Sequence, residues 1–351
     1  MAGGGTGGHV IPALAVAREL HGRGHEVFFV GTSRGLEAKL VPAEGFELHR
    51  IEIGGLARVG VKQTARTLAQ LPLTTLRCAG LIGQRRVAGV FSMGGYAAGP
   101  PVMAAILRRV PVIVMEPNAV PGFTNRVIGR FVRRALIAFP ETARYFPPGR
   151  TEVTGLPVRE EFFRIPARTR GETLNLLVTG GSQGSRNLNN AGRQSWPLFR
   201  KAGMKVRIVH QSGPSGFEPL AAEFAACGLE GEVVPFIADM PAAFAAADLV
   251  VCRSGAGAVS ELAAAGKPSV LVPFPFAAGD HQARNAEALE RGGAARLVPD
   301  ADLTGETLFG AVAELAGEKG RLERMAEAAR RFARPGAARR AAELMEEAAG
   351  T

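Results

Sequence analysis

Short aliphatic, β-branched runs alternate with helical stretches along nearly the whole chain, and this alternation narrows the folds open to it. Strand-like runs occupy 27–30, 48–51, 89–91, 112–115, 136–138, 174–178, 206–209, 249–251 and 269–272. Helical patterns lie between them, as at 13–20, where Ala13, Val16, Ala17 and Leu20 make one stripe. Such alternation builds parallel sheets covered by helices. Strands this continuous in apolar residues fit a sheet buried on both faces. The predicted class is α/β.

Two Gly-rich segments occupy similar places in the two halves: Gly3–Gly8 near the start, and Gly180–Ser185 after the run ending at Val178. A third, Gly94-Gly95-Tyr96, follows the run ending at Phe91. Residues 154–173, with Gly155, Pro157, Pro166 and Gly171, read as a connection. The 351 residues suffice for two domains with proper cores. The expectation is two Rossmann-like domains facing a cleft, 1–157 and 158–351. The helical stretch 321–349 closes the chain, and its last helix is expected to pack back on the first domain. A doubly wound domain places its first Gly-rich turn after a central strand. Here the turn begins at Gly3, so that first strand is expected to be missing, with the chain start truncated or read from an internal Met.

Composition excludes several classes. With 46% apolar and 21% charged residues the chain is no disordered segment. No apolar run is long enough to span a bilayer, and no secretory leader pattern opens the chain. Cys78, Cys227 and Cys252 fit neither a disulfide framework nor zinc spacing, which points to a reducing compartment. The net charge of +10 lies wholly in residues 1–160, which carry 20 basic and 10 acidic side chains; the rest carries 22 of each. The first aspartate is Asp239. Nucleic acid, an anionic membrane surface and an anionic substrate are the partners such a field suits.

Gly3-x-Gly5-x-x-Gly8 matches a dinucleotide fingerprint, but the next strand runs out through Val30-Gly31-Thr32-Ser33-Arg34 without the acid that a nicotinamide cofactor needs. What remains is a loop of N–H groups at a helix N-terminus, suited to an anion. His9 sits at its mouth, just before Pro12 at the expected helix start; it reads either as a neutral proton acceptor or as a packing residue. Glu116 ends an apolar strand and reads as a base or as a structural partner. Asn118 suits a sugar hydroxyl or a turn. In the second half, Gly180–Ser185 offers amides and a hydroxyl to a diphosphate, with Arg159 in reach. Arg253–Glu261 leads from a strand into a helix carrying Glu261, whose carboxylate can accept from a ribose diol. Asp280-His281-Gln282 can grip a sugar. No cluster has metal-ligand spacing, so neither a metal nor another cofactor is expected.

Together these segments resemble the MurG family. That family transfers N-acetylglucosamine from UDP-GlcNAc to the undecaprenyl-pyrophosphoryl-MurNAc-pentapeptide called lipid I, forming lipid II in peptidoglycan synthesis. The resemblance rests on 4–9, 93–100, 116–118, 180–184, 253–266 and 280–286, in order and spacing. It implies a GT-B fold, with the acceptor on the N-terminal domain and the nucleotide-sugar on the C-terminal one. It implies donor contacts at Thr6, Gly7, Gly8, Asn118, Arg159, Ser182, Ile237, Ala256, Gly257, Ala258, Val259, Ser260, Glu261 and Gln282. Ile237 would offer backbone groups to uracil, Glu261 would hold the ribose, and Gln282 would contact the GlcNAc hydroxyls. The resemblance makes His9 the candidate base, with Glu116 the alternative that the residues themselves leave open; it puts Tyr96 on the acceptor side and locates the enzyme peripherally at the cytoplasmic face of the inner membrane.

The positive first half then has a use. Leu68, Leu71, Leu73, Leu76, Leu81 and Ile82, flanked by Lys62, Arg66, Arg77, Arg85 and Arg86, suit an anionic membrane surface. The same pattern also suits a core-packing helix with a basic outer face. Other UDP-sugar enzymes of this architecture, a UDP-GlcNAc 2-epimerase or another lipid glycosyltransferase, remain open. A nucleic-acid binder lacks the stacking platforms it would need, with one Trp and two Tyr.

Overall fold

The computed structural model describes residues 1–54, 60–169 and 171–350. It divides into two compact units, Met1–Val158 with Arg334–Thr351, and Arg159–Ala333.

The first unit carries β1 (Ala2–Gly3), β2 (Phe28–Gly31), β3 (Glu47–Arg50), β4 (Val90–Gly94), β5 (Val112–Glu116), β6 (Arg134–Ile137) and β7 (Thr151–Val153). They form a seven-stranded sheet in the order β3-β2-β1-β4-β5-β6-β7, every pair parallel. Val30, Val90, Val102, Val114 and Ile137 share its core. The final helix, Ala337–Ala349, belongs to this unit: Leu344 and Met345 are buried, Arg340 pairs with Glu152 at 2.6 Å, and Glu346 meets Arg23 and His25.

The first strand, expected to be missing, stands in the sheet as two residues. The central position is filled by β1, only two residues long, with Ala2 opposite Val30 on one side and Ser92 on the other. A strand this short has no side-chain alternation to read; its signal is backbone pairing alone. The Met1 ammonium extends it, donating to Phe28 O at 2.7 Å. A cavity of 320 Å³ opens beside it, lined among others by Phe28, Cys78, Ile82, Val90 and Met345.

The second unit carries β8 (Leu174–Thr179), β9 (Val206–Gln211), β10 (Glu230–Val234), β11 (Leu249–Cys252), β12 (Ser269–Leu271) and β13 (Ala295–Leu297). Their order is β10-β9-β8-β11-β12-β13, again all parallel. Leu176, Val178, Leu249, Val251 and Val270 pack with Phe199, Phe224 and Trp196, whose ring meets Phe224 edge-on at 5.0 Å.

The helix Val61–Gln84 carries most of the basic, apolar segment. The side chains of Lys62, Arg66 and Leu68 lie outside the described ones. Thr75, Cys78 and Ile82, at helical spacing, are buried, so Ile82 belongs to the core and not to a surface patch. Leu81 packs on that core, Leu71 is half-buried, and Arg85 is paired with Glu26 and Glu47. Leu73, Leu76, Arg77 and Arg86 face solvent.

Candidate functional site

In the first unit the helix Gly7–Gly22 starts five residues before Pro12, so Pro12 lies inside the helix rather than at its start. Thr6 caps it by backbone only. Its hydroxyl lies 3.3 Å from His9 Nδ1, which ties the imidazole to the Gly-rich loop. The loop is not a set of open amides. Glu37, from the short helix Glu37–Ala43, reaches back and accepts from Gly5 N at 2.8 Å and from Thr32 N and Oγ1 at 2.9 and 2.8 Å. Gly4 exists to admit it: a Cβ there would lie 2.3 Å from Glu37 Oε1. Burial pushes this carboxyl up, but the hydrogen bonds outweigh burial and hold it below its ordinary range. Sequence reasoning missed Glu37 because the acid sits in the next helix, three residues beyond Arg34.

Tyr96 stands against the same loop. A Cβ on Gly5 would lie 3.2 Å from its ring, and its hydroxyl is 3.4 Å from Thr32 Oγ1. Gly95, at φ +78°, lies beside the His9 ring, and a Cβ there would sit 3.3 Å from Gly4 O. Thr6, Gly7, Gly8, His9 and Tyr96 are thus gathered where β1 and β4 end, the carboxyl edge at which open α/β sheets bind ligands.

Glu116 has a different environment from the one a base needs. It is 1% exposed, and both oxygens are occupied: Oε1 accepts from Asn118 N and Nδ2, Oε2 from Gly122 N and Asn125 Nδ2, at 2.9 to 3.1 Å. Burial pushes the carboxyl up, and these bonds pull it back. The group organises the turn that carries Asn118. Asn125 also escaped sequence reasoning; it donates to Met115 O and packs beneath Gly94, linking the β4 and β5 exits.

In the second unit the relevant loops leave the carboxyl ends of neighbouring strands. After β8 comes Gly180–Ser185, with Ser182 exposed. Gly184 is at φ +73°, and a Cβ there would sit 1.9 Å from Ser212 O. Ser185 caps the helix Arg186–Lys201, and its hydroxyl accepts from Arg253 Nη2 at 2.7 Å. After β11 comes the helix Ala256–Ala265. Ala256, Gly257, Ala258, Ser260 and Glu261 are half-buried around its first turns, whereas Val259 is buried in the core and has only backbone to give.

Burial pushes Glu261 up to about 7, against the pull of the Arg159 charge. Arg159 therefore acts electrostatically on Glu261, while its guanidinium stacks over Phe162 at 5.1 Å. Gln282 Oε1 accepts from Phe274 N at 2.9 Å, which ties the side chain to the loop after β12. Ser254 Oγ donates to Gln282 O, binding the β11 exit to the helix His281–Arg291. Ile237 N donates to Gln211 Oε1 at 2.9 Å, so its N–H is already engaged within the fold. Among the described residues no group of three His, Cys, Asp or Glu side chains could hold a metal ion.

Comparison with known proteins gives this arrangement a family. A model described as the glycosyltransferase family 28 N-terminal domain matches residues 1–137, and its C-terminal counterpart matches 175–344. A relative from Solibacter usitatus (strain Ellin6076), named UDP-N-acetylglucosamine--N-acetylmuramyl-(pentapeptide) pyrophosphoryl-undecaprenol N-acetylglucosamine transferase, is 70% identical over 349 residues, covering 99% of this chain and 95% of its own. A relative of the same name from Anaeromyxobacter sp. (strain Fw109-5) is 43% identical, covering 99% and 92%. The crystal structure of Acinetobacter baumannii MurG superposes with a TM-score of 0.83 at 34% identity, covering 98% of this chain and 97% of that one. The two parallel-sheet units are those of a GT-B glycosyltransferase, and the chain belongs to the MurG family within glycosyltransferase family 28.

Proposed function

We propose that the chain transfers GlcNAc from UDP-GlcNAc to the 4-hydroxyl of the muramyl sugar of lipid I, forming lipid II. The observation that carries this reading is the donor half: the Ser182 loop, the Ala256 helix start, Glu261 and Gln282 all follow β8, β11 and β12, which are adjacent in one sheet. A diphosphate suits the amides of the Ser182 loop and the Ala256 helix N-terminus, and a ribose diol suits Glu261.

The reaction is a single displacement. The acceptor hydroxyl attacks C1 of GlcNAc opposite UDP, the C1–O bond to the diphosphate breaks, and α becomes β. His9 is the base in this scheme. In the tautomer with Nδ1–H donating to Thr6 Oγ1, Nε2 is the basic nitrogen of the neutral ring. Glu116, enclosed and fully hydrogen-bonded, supports Asn118 and leaves the proton to His9. The departing diphosphate gains charge that the second unit's amides offset. Tyr96 stands beside His9 on the acceptor side.

The acceptor is a lipid, and no helix among the described residues is long and apolar enough to cross a membrane. Peripheral attachment to an anionic leaflet, at the cytoplasmic face of the inner membrane, follows from this reading. Leu73, Leu76, Arg77 and Arg86 are the exposed part of the basic, apolar segment that can serve it.

The test is UDP release from UDP-GlcNAc with and without a lipid I analogue. Acceptor-dependent release that falls by about 10²–10⁴ in His9→Ala supports the scheme. Turnover without acceptor and without UDP release would instead mark an epimerase.

A further inference from the structure

One buried side chain links two parts of the second unit that sequence reasoning treated separately. Gln211 ends β9, the strand between β8 and β10, and is 1% exposed. On one side its Nε2 donates to Gly181 O at 2.7 Å and, more weakly, to Thr179 Oγ1 at 3.3 Å. Thr179 Oγ1 also accepts from Gly181 N at 3.2 Å, so Gly181 is held through both its carbonyl and its amide. On the other side Gln211 Oε1 accepts from Ile237 N at 2.9 Å. One amide group therefore fixes the distance between the β8 exit loop and the β10 exit loop. The backbone supports the same linkage: Ser212 N donates to Val234 O, and Gly184 and Gly213 bring the β8 loop against the β9 exit with no room for a Cβ on either.

We infer that Gln211 is a positioning residue that sets the span between the subsite for the donor's diphosphate, at 180–184, and the subsite for its base, at Ile237. The inference rests on the donor-site reading above and adds a residue to it that touches neither part of the ligand. Its physical basis is preorganisation. A ligand that bridges two loops gains from their fixed spacing, because it does not have to order them on binding. A fragment that touches one loop can follow that loop wherever it sits, and gains little.

The distinguishing readout is the difference between a bridging ligand and a fragment. Dissociation constants for UDP and for uridine are measured on the full chain, on Gln211→Met, which fills the space without hydrogen bonds, and on Gln211→Glu. The latter keeps an acceptor for Ile237 N but sets a carboxylate oxygen against Gly181 O. Both substitutions are expected to weaken UDP by about tenfold, as loss of one or two buried hydrogen bonds would, and uridine by less than about threefold. Thr179→Val, which loses the hydroxyl's contacts with Gly181 N and Gln211 Nε2 but keeps the Gln211 links to Gly181 O and Ile237 N, gives the same comparison with a smaller effect if the Gln211 variants do not fold. Equal weakening of UDP and uridine, or no weakening of either in variants that melt like the parent, would overturn the inference while leaving the donor site standing. Failure of the unaltered chain to bind UDP would overturn both.

Discussion

Glu37 accepts the Gly5 N–H at 2.8 Å, so a carboxylate of the chain itself occupies part of the amide nest in the first Gly-rich loop. The His9 loop is thereby built around an internal anion, and its shape does not depend on a bound one. Replacing that anion has a definite expected outcome. In Glu37→Gln an NH₂ must face Thr32 N–H or Gly5 N–H, both donors, which costs about 1–3 kcal/mol and lowers Tm. Acceptor-dependent UDP release is expected to fall with it, because His9 rides on the same loop. A variant with unchanged melting and turnover would show that the loop holds itself.

Arg253 joins three segments of the second unit. It meets Asp300 at 2.5 Å, Ser185 Oγ at 2.7 Å, and the carbonyls of Val272 and Pro273. Both partners of the ion pair are largely buried, with side chains 13% and 7% exposed. Arg253→Ala leaves Asp300 uncompensated and is expected to cost about 3–5 kcal/mol. Arg253→Lys is expected to rescue little, since one ammonium cannot reach all these acceptors in a guanidinium's planar geometry. Denaturant unfolding of the two variants checks this.

The parts that the sequence disclosed are those with side-chain signatures. β11 is apolar on every residue and β5 on all but its terminal Glu116, and Gly180–Ser185 marks itself by composition. Edge strands β7, β10 and β13 escaped, because Thr151-Glu152, Glu230-Gly231-Glu232 and Arg296 break the apolar run where one side of the strand is unpaired. The roles of Glu37, Gln211 and Arg253 escaped for another reason. Each acts across a long interval of sequence, Arg253 on Ser185 68 positions away, and no local pattern records which loop a side chain will reach. Glu116 was legible as a strand-end carboxylate, but not as one whose four acceptor positions are filled, since Asn125 arrives from the following helix.

His210 gives the second unit a weakness toward acid. It is fully buried, and Nε2 lies 3.0 Å from Asn189 Oδ1, which makes Nε2 the donor of a neutral ring. Burial pushes the imidazole down to about 4. The unfolded chain, with its imidazole near ~6.5, then binds a proton that the folded one refuses, so stability falls as pH drops from ~6.5 toward 4. The full loss is on the order of 3 kcal/mol. Urea unfolding at stepped pH should show that decline, flattened in His210→Gln. An equal decline in both would assign the acid sensitivity elsewhere.

On the proposed donor site, Glu261 is expected to set the pH dependence of donor binding. Burial raises its carboxyl to about 7, so near neutrality it is only partly ionised without ligand. A ribose diol offers two hydroxyl donors, and the carboxylate accepts both better than the acid does. The KM for UDP-GlcNAc is therefore expected to fall as pH rises from 6 to 8. Folding carries the opposite sign. An acid raised in the folded state contributes its stability below the ordinary carboxylate range and loses it as pH climbs through 7, so ionised Glu261 strains the unliganded protein. Glu261→Gln should accordingly melt higher than the parent at pH 8, yet bind donor weakly and with a flat pH profile between 6 and 8. Melting curves and donor titrations at both pH values test the two halves together. A Gln variant that keeps the parent's pH-dependent KM would remove Glu261 from the ribose site, and one that melts lower at pH 8 would show that the ionised carboxylate does not strain the unliganded fold.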